Sequence, residues 1–447
     1  MNYDKIIDNI TPTQEEFAKI NKLIQNIQFN FQPQLDFMVC GSVAKGTALQ
    51  GTSDIDIFIL FDQDTSEEKL KELGLKYGHI ITKRLGGKST EKYASHPYVT
   101  AEIDGLKVDF VPCYKIEDAS ELKSAVDRTP LHTKYVKEHL GNPEQVLLLK
   151  QFMKSVGVYG ANAEVNGFSG YLCEILIMQY GSFEDVLKES QNWSFEDIID
   201  IEDWDTGACF YGLDDALIVI DPVDGHRNVA AALSRQRMVE FQLAAFNYFR
   251  SNNKKSFFYT IPYYATEIDE RFKKAKDNII VIRAPLPKMP EDSIHLQIQS
   301  TIVSLNFLFD EYGYNVEMNV YEVFEHTYEI AIMFTTTQQN KLKVNLGPYF
   351  RYNGVKGFVD KYGSSNIKVD QRGRLYAVQD NPTPTVHKLI DEILAGEHNN
   401  KIVSNEIVNS MVKYGFMVQP TSNLTSVVKL LKPNQTHRID INTTNNK

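Results

Sequence analysis

Gly41-Ser42-Val43-Ala44-Lys45-Gly46-Thr47, followed by Asp54-Ile55-Asp56-Ile57-Phe58-Ile59, decides how this chain is read. The second segment alternates, placing Ile55, Ile57 and Ile59 on one face of a strand and Asp54 and Asp56 on the other. Two like charges on neighbouring same-face positions repel unless something positive sits between them. Such a pair can share one divalent cation or bridge two. The Gly-Ser segment predicts a short turn whose backbone N–H groups and hydroxyl can hold a triphosphate beside that metal. Asp-Ile-Asp alone equally fits an edge strand with a solvated acidic face. The Gly-Ser turn at this distance favours metal-assisted nucleotidyl transfer.

A two-metal site calls for a further carboxylate from a neighbouring strand. Asp104-Gly105, between the alternating runs 99–103 and 106–111, is a hairpin signal. Leu106, Val108 and Phe110 then share the core face, and Asp109 points to the polar one. Asp109 is the expected third ligand; otherwise it is a solvated strand residue.

These residues resemble the archaeal-type (class I) CCA-adding tRNA nucleotidyltransferases of the polymerase-beta-like superfamily. Other blocks extend the likeness in order: His96-Pro97-Tyr98, Val111 to Lys115, Ser124 to His132, Lys150 to Ala161, Gly167 to Glu174, and Asp221-Pro222-Val223-Asp224 with Arg227 to Ala231. They cover roughly residues 36–235, and Gly347-Pro348 extends the match more weakly. The resemblance implies an α+β multidomain fold: a polymerase-beta-like catalytic head (1–140), a helical neck that recognises the nucleotide and its base (141–255), and an α+β body and tail that bind tRNA (256–447). It implies metal binding, as Mg2+, by Asp54, Asp56 and Asp109. It implies ATP or CTP contacts from Ser42, Lys45, His132, Lys150 and Tyr159, and base recognition involving Arg227. The chain has Asp54 where relatives often carry Glu, and Lys45 where they often carry Arg. The first change keeps a carboxylate on a shorter arm; the second replaces a bidentate fork with a point charge.

At 447 residues the chain exceeds one core and suggests about three domains. A net charge of −11 argues against a uniformly basic nucleic-acid binder. It does not exclude RNA, because phosphate contacts need only a local basic stripe. Cys40, Cys113, Cys173 and Cys209 are far apart with apolar neighbours, which predicts buried, reduced thiols in a cytoplasmic protein. No apolar run approaches the length of a membrane span, so no membrane partner is expected. The sequence does not fix the oligomeric state; a homodimer is one candidate.

In chain order, Pro12 is expected in the first turn of a helix capped by Thr13 and Glu16, with Phe17, Ile20, Leu23, Ile24 and Ile27 facing the core. A helix from Thr65 to about Leu85 links the catalytic strands. Helices take over near Asn142-Pro143, where Val146, Leu149, Phe152, Met153 and Val156 form one apolar side. Lys154 reads as a surface lysine, and residues 171–180 as a buried helix. His132 and Tyr159 each have a bland reading as core residues. Strands return from about 256, around a helix near 291–313. Residues 341–376 hold eight basic residues against Asp360 and Asp370, with tyrosines and phenylalanines interleaved. That mixture suits RNA, with Arg351, Lys356 and Lys361 the expected phosphate contacts. The alternative is a charged surface over a small aromatic core. The expected activity is template-independent addition and repair of the 3′-terminal CCA of tRNA from CTP and ATP with release of pyrophosphate. The rival is a relative of poly(A) polymerase or oligoadenylate synthetase, which uses ATP without an ordered switch from CTP.

Overall fold

A computed structural model describes residues 2–31, 36–52, 54–93, 96–210, 212, 215–259, 265–337, 342–350, 353–380, 383–403 and 405–432. The chain divides into two compact units, Met1–Ile261 and Pro262–Pro433. The regions expected as head and neck therefore lie in one unit, although each keeps its own core.

The first unit opens with α1 (Asp4–Ile10), α2 (Gln14–Asn30), β1 (Asp36–Cys40), α3 (Gly41–Lys45), β2 (Ile55–Phe61), α4 (Glu67–Arg84), β3 (Lys88–Tyr93), β4 (Pro97–Ile103) and β5 (Leu106–Tyr114). The strands form one sheet in the order β1-β2-β5-β4-β3, in which β2 and β5 run parallel and the other neighbours antiparallel. The apolar face carries Ile55, Ile57, Ile59, Val108 and Phe110, all fully buried against α2 and α4. The alternation thus holds, and it leaves the aspartates on the opposite face. Asp104 and Gly105 adopt positive φ (53° and 74°) between β4 and β5, the backbone that a tight two-residue hairpin demands.

Thr13 caps α2, its Oγ1 accepting from the Glu16 N–H at 3.1 Å. Pro12 precedes the cap instead of occupying the first turn. Ile20, Leu23 and Ile27 are buried as expected, but Phe17 is 39% exposed. It lines a small hollow with Pro12, Ile20, Val43 and Ala48 at the edge of the sheet core. The Gly-Ser segment is also tighter than expected: it forms the single helical turn α3, closed by Gly46 in the left-handed region.

Helices begin at Arg128, earlier than the Asn142-Pro143 signal: α5 (Arg128–His139), α6 (Pro143–Val156), α7 (Gly170–Tyr180) and α8 (Phe183–Ser190). A small sheet of β6 (Ile198–Ile199), β7 (Ile218–Asp221) and β8 (Asp224–Asn228) follows, then α9 (Arg235–Arg250). Asn142 Oδ1 caps α6 by accepting from Glu144 N–H at 3.1 Å, and Pro143 takes the first turn. Val146, Leu149, Phe152, Met153 and Val156 are buried, and Lys154 is exposed. Ile6 and Ile10 of α1 also belong to this helical core, together with Leu49 of the head, and Gln50 N–H donates to Ile10 O at 2.7 Å.

The second unit contains α10 (Ala265–Ala275), β9 (Ile279–Pro285), α11 (Glu291–Glu311), β10 (Val316–Val323) and β11 (Thr327–Phe334). It continues with β12 (Leu342–Tyr349), α12 (Val355–Tyr362), β13 (Ile367–Val369), β14 (Arg374–Asp380), α13 (Val386–Leu394), α14 (Glu406–Tyr414), β15 (Phe416–Val418) and α15 (Thr425–Leu431). A helix thus precedes the returning strands. One sheet runs β10-β11-β9-β15 and a second β12-β14-β13. Among the described residues no helix is long and apolar enough to cross a membrane. Cys40, Cys113 and Cys173 are buried free thiols; Cys209, in a short turn, is exposed. Burial pushes the thiols of Cys40 and Cys173 up to about 12, so they are inert as nucleophiles.

Candidate active site

Asp56 on β2 and Asp109 on β5 are direct register partners across the parallel pair. This pairing brings the carboxylates together from residues more than fifty positions apart. Asp56 is pushed up to about 6, first by burial and then by the charges of Asp109 and Asp54. Asp109 Oδ1 is buried without a hydrogen-bond partner. An unpaired buried acceptor beside a like charge is costly and points to a cation as its proper neighbour. Asp54, one residue before β2, is drawn sideways: Lys107 Nζ lies 2.5 Å from its Oδ2 and 3.6 Å from Asp109 Oδ2. Among the described residues no three His, Cys, Asp or Glu side chains converge as a ready metal cage. The paired carboxylates of Asp56 and Asp109 suit a divalent cation, while Asp54 is engaged by Lys107.

The backbone of α3 abuts this pair. Gly41 has φ +69°, and a Cβ there would fall 1.8 Å from Asp56 Oδ2. Glycine is therefore the residue that lets this backbone approach Asp56 so closely. Lys45, at the end of α3, places Nζ 2.5 Å from Glu174 Oε2. Glu174 is fully buried on α7 and also accepts from Thr47 Oγ1 at 2.5 Å. Lys150, 2% exposed on α6, donates to Thr47 O at 3.0 Å and to Glu174 Oε1 at 3.3 Å. Burial pushes the Glu174 carboxyl up, but Lys150 and Lys45 outweigh it and hold it below its ordinary range. Burial lowers Lys150, with Glu174 opposing. Tyr159 is half-buried; a Cβ on Gly170 would lie 3.1 Å from its Oη and 3.4 Å from Lys150 Nζ, so both polar tips lie beside the start of α7.

His132 and Arg227 converge on Asp221, at the end of β7. Asp221 Oδ2 accepts from His132 Nε2 and Arg227 Nη1, both at 2.8 Å, and Oδ1 accepts from Tyr171 Oη at 3.0 Å. Burial lowers His132, while His132 and Arg227 hold Asp221 below its usual range despite burial. An ionised Asp221 only accepts, so His132 Nε2 carries the proton and donates. Its ring stacks on Tyr171 at 4.0 Å, and Lys45 Nζ lies 5.5 Å from the Tyr171 ring centre. Arg128 Nε donates to Asp224 at 2.7 Å, pinning α5 to the β8 strand.

Of the six expected nucleotide residues, Lys45 and Lys150 thus share Glu174, and His132 and Arg227 share Asp221; Ser42 lies in the turn α3, and Tyr159 beside Gly170. Lys107, Glu174, Tyr171 and Asp221 were not assigned roles from the sequence. Glu174 and Asp221 each sat in a quoted block, and a charge inside an apolar helix (Glu174 in 171–180) was the available signal.

In the second unit, Lys356 and Lys361 are exposed on α12, and Lys361 Nζ lies 5.0 Å from the Tyr362 ring centre. Phe350 is 77% exposed. Arg351 lies outside the described residues, as do Lys341 and Tyr352. Arg374 instead donates Nε to Gly347 O at 2.7 Å, a structural use of one basic residue.

Residues 20–132 match the family model "Nucleotidyltransferase domain", and 144–259 match "tRNA nucleotidyltransferase, second domain". The CCA-adding enzyme of Methanothermobacter thermautotrophicus is 44% identical over 327 residues, 70% of this chain and 71% of its own. That of Methanocaldococcus jannaschii is 34% identical over 415 residues, 89% of this chain and 91% of its own. A solved poly(U) polymerase structure covers 57% of this chain and 97% of its own, at 13% identity and a TM-score of 0.46. On the two family models and the two curated relatives, the fold is multidomain α+β with a polymerase-beta-like head, and the chain belongs to the archaeal-type CCA-adding enzymes, the CCA tRNA nucleotidyltransferases.

Proposed function

We propose that this enzyme adds and repairs the 3′-terminal C-C-A of tRNA from CTP and ATP, releasing pyrophosphate, with Mg2+ held by Asp54, Asp56 and Asp109. The observation that carries the metal reading is the parallel register of Asp56 and Asp109, with an unpartnered carboxylate oxygen between strands. Bound there, divalent cations would favour the attacking hydroxylate and stabilise the leaving pyrophosphate. Ser42 and Lys45 hold the triphosphate end of the nucleotide, Lys150 supports them from behind through Thr47 and Glu174, Tyr159 contacts the nucleotide, and His132 acts as a donor. Arg227, oriented by Asp221, presents its remaining N–H donors to the base. A wrong base leaves such groups unpaired, at about 1–3 kcal/mol each. One set of carboxylates implies one active site, so base choice depends on what the protein and the growing 3′ end jointly present. The buried thiols fit a reducing, cytoplasmic setting.

The test offers each nucleoside triphosphate singly to tRNA lacking one, two or three terminal nucleotides. The enzyme should add C, then a second C, and only then A, refusing GTP and UTP at every stage. Runs of A on any RNA, with CTP ignored, would replace the CCA reading with the poly(A)-type alternative.

The second unit supplies the grip on tRNA through the exposed cations of α12 and the ring of Phe350. Replacing Arg351, Lys356 and Lys361 together should weaken tRNA binding and flatten its salt dependence. Each lost phosphate contact changes the log–log slope by roughly 0.7 to 0.9. Single-turnover chemistry at saturating RNA should remain near normal. An unchanged slope would make this stripe ordinary surface.

A further inference from the structure

The polar face of the five-stranded sheet carries a cation of its own. Lys107 lies two residues before Asp109 on β5, on the same face, and its ammonium reaches both Asp54 and Asp109. It is 44% exposed, so it stands at the open side of the carboxylates and not inside the core. Across β4 its direct register partner is Glu102, an exposed carboxylate that shares this face. Side chains so paired lie about 5 Å apart at Cβ, within easy reach of a lysine. No contact between Lys107 and Glu102 is made while the ammonium is engaged with Asp54 and Asp109.

We propose that Lys107 is a positioning residue that acts as a built-in, displaceable counter-cation for the catalytic carboxylates. Before metal enters, its ammonium offsets the repulsion among Asp54, Asp56 and Asp109 and turns Asp54 outward. A divalent cation takes over that neutralisation, frees Asp54 to join Asp56 and Asp109, and releases Lys107 towards Glu102. The exchange forms and breaks ion pairs only; no covalent bond changes. Metal binding is therefore competitive with an intramolecular ion pair, and the enzyme holds metal less tightly than its carboxylates alone would. By linkage, the same coupling makes Lys107 stabilise the metal-free protein and not the loaded one.

This inference rests on the metal reading above, and the test separates the two. Mn2+ is titrated into the full chain without nucleotide, free Mn2+ is followed by electron paramagnetic resonance, and melting is recorded with and without the metal. Lys107→Met should lower the Mn2+ dissociation constant by about tenfold, the size of effect ordinary between coupled sites. Its metal-free form should melt below wild type, with the gap closing when Mn2+ is saturating. Lys107→Arg, which keeps the charge, should bind Mn2+ within about twofold of wild type. Lys107→Gln repeats the measurement should the methionine variant not fold. Equal or weaker Mn2+ binding by the uncharged variant overturns the displacement while leaving the metal reading intact, as does equal tightening by arginine. Failure of every protein, wild type included, to bind Mn2+ overturns both.

Discussion

Asp109→Asn should reduce nucleotide incorporation by at least about a hundredfold at saturating metal, since the lost group is a direct ligand in the proposed site and even indirect metal contacts are worth 10- to 100-fold. The fold should survive. Asn has the same shape, and Asp109 Oδ1 makes no hydrogen bond that the substitution would break. Removing one negative charge also relieves its repulsion of Asp56. The loss belongs in the chemical step, so tRNA affinity should hold while single-turnover rate falls. A rate within about tenfold of wild type, well short of the effect of removing a metal ligand, would take Asp109 out of the site.

Glu174→Ala should be the most destabilising single change in the first unit. The substitution leaves Lys45 and the buried Lys150 without their shared carboxylate, and strands the Thr47 hydroxyl. Breaking a buried pair by removing one partner typically costs about 3–5 kcal/mol, because the remaining charge stays desolvated. For a unit of this size that lowers the melting transition by on the order of 10 °C. Glu174→Gln should lose less, since an amide oxygen still accepts from Thr47 and Lys150. Combining Glu174→Ala with Lys150→Met should recover part of the loss, as removing both charges is milder than removing one. A Glu174→Ala protein that melts within a degree or two of wild type would show that the cluster contributes nothing to holding α3 against α6 and α7.

The two substitutions also mark what a linear sequence can and cannot reveal. Alternation along β2 is a local signal, so the burial of Ile55, Ile57 and Ile59 and the opposite placement of the aspartates followed from it. The hairpin at Asp104-Gly105 was legible for the same reason: its backbone demand is met within two residues. The register of Asp56 on Asp109 was not, because α4, β3 and β4 intervene between the paired strands. Resemblance to the family supplied that grouping where periodicity did not. Lys107 and Glu174 escaped notice because an ion pair is defined by tertiary approach. Phe17 shows the converse error: helical spacing names a face, but not how far along it the core extends.

The location of α1 has a consequence for how the protein is made. Ile6 and Ile10 are buried with α6 and its neighbours, and Tyr3 Oη hydrogen-bonds to both Glu184 and Tyr248. α1 thus leaves the ribosome well before its docking partners, which lie on α6, α8 and α9. At about 5–20 residues per second, Tyr248 follows Tyr3 by roughly 10–50 s. During that interval the head sheet, complete by Tyr114, can form alone, while the apolar side of α1 waits without cover. Synthesis therefore makes the carboxylate-bearing sheet available before the helical core, with the apolar side of α1 uncovered until α6, α8 and α9 emerge.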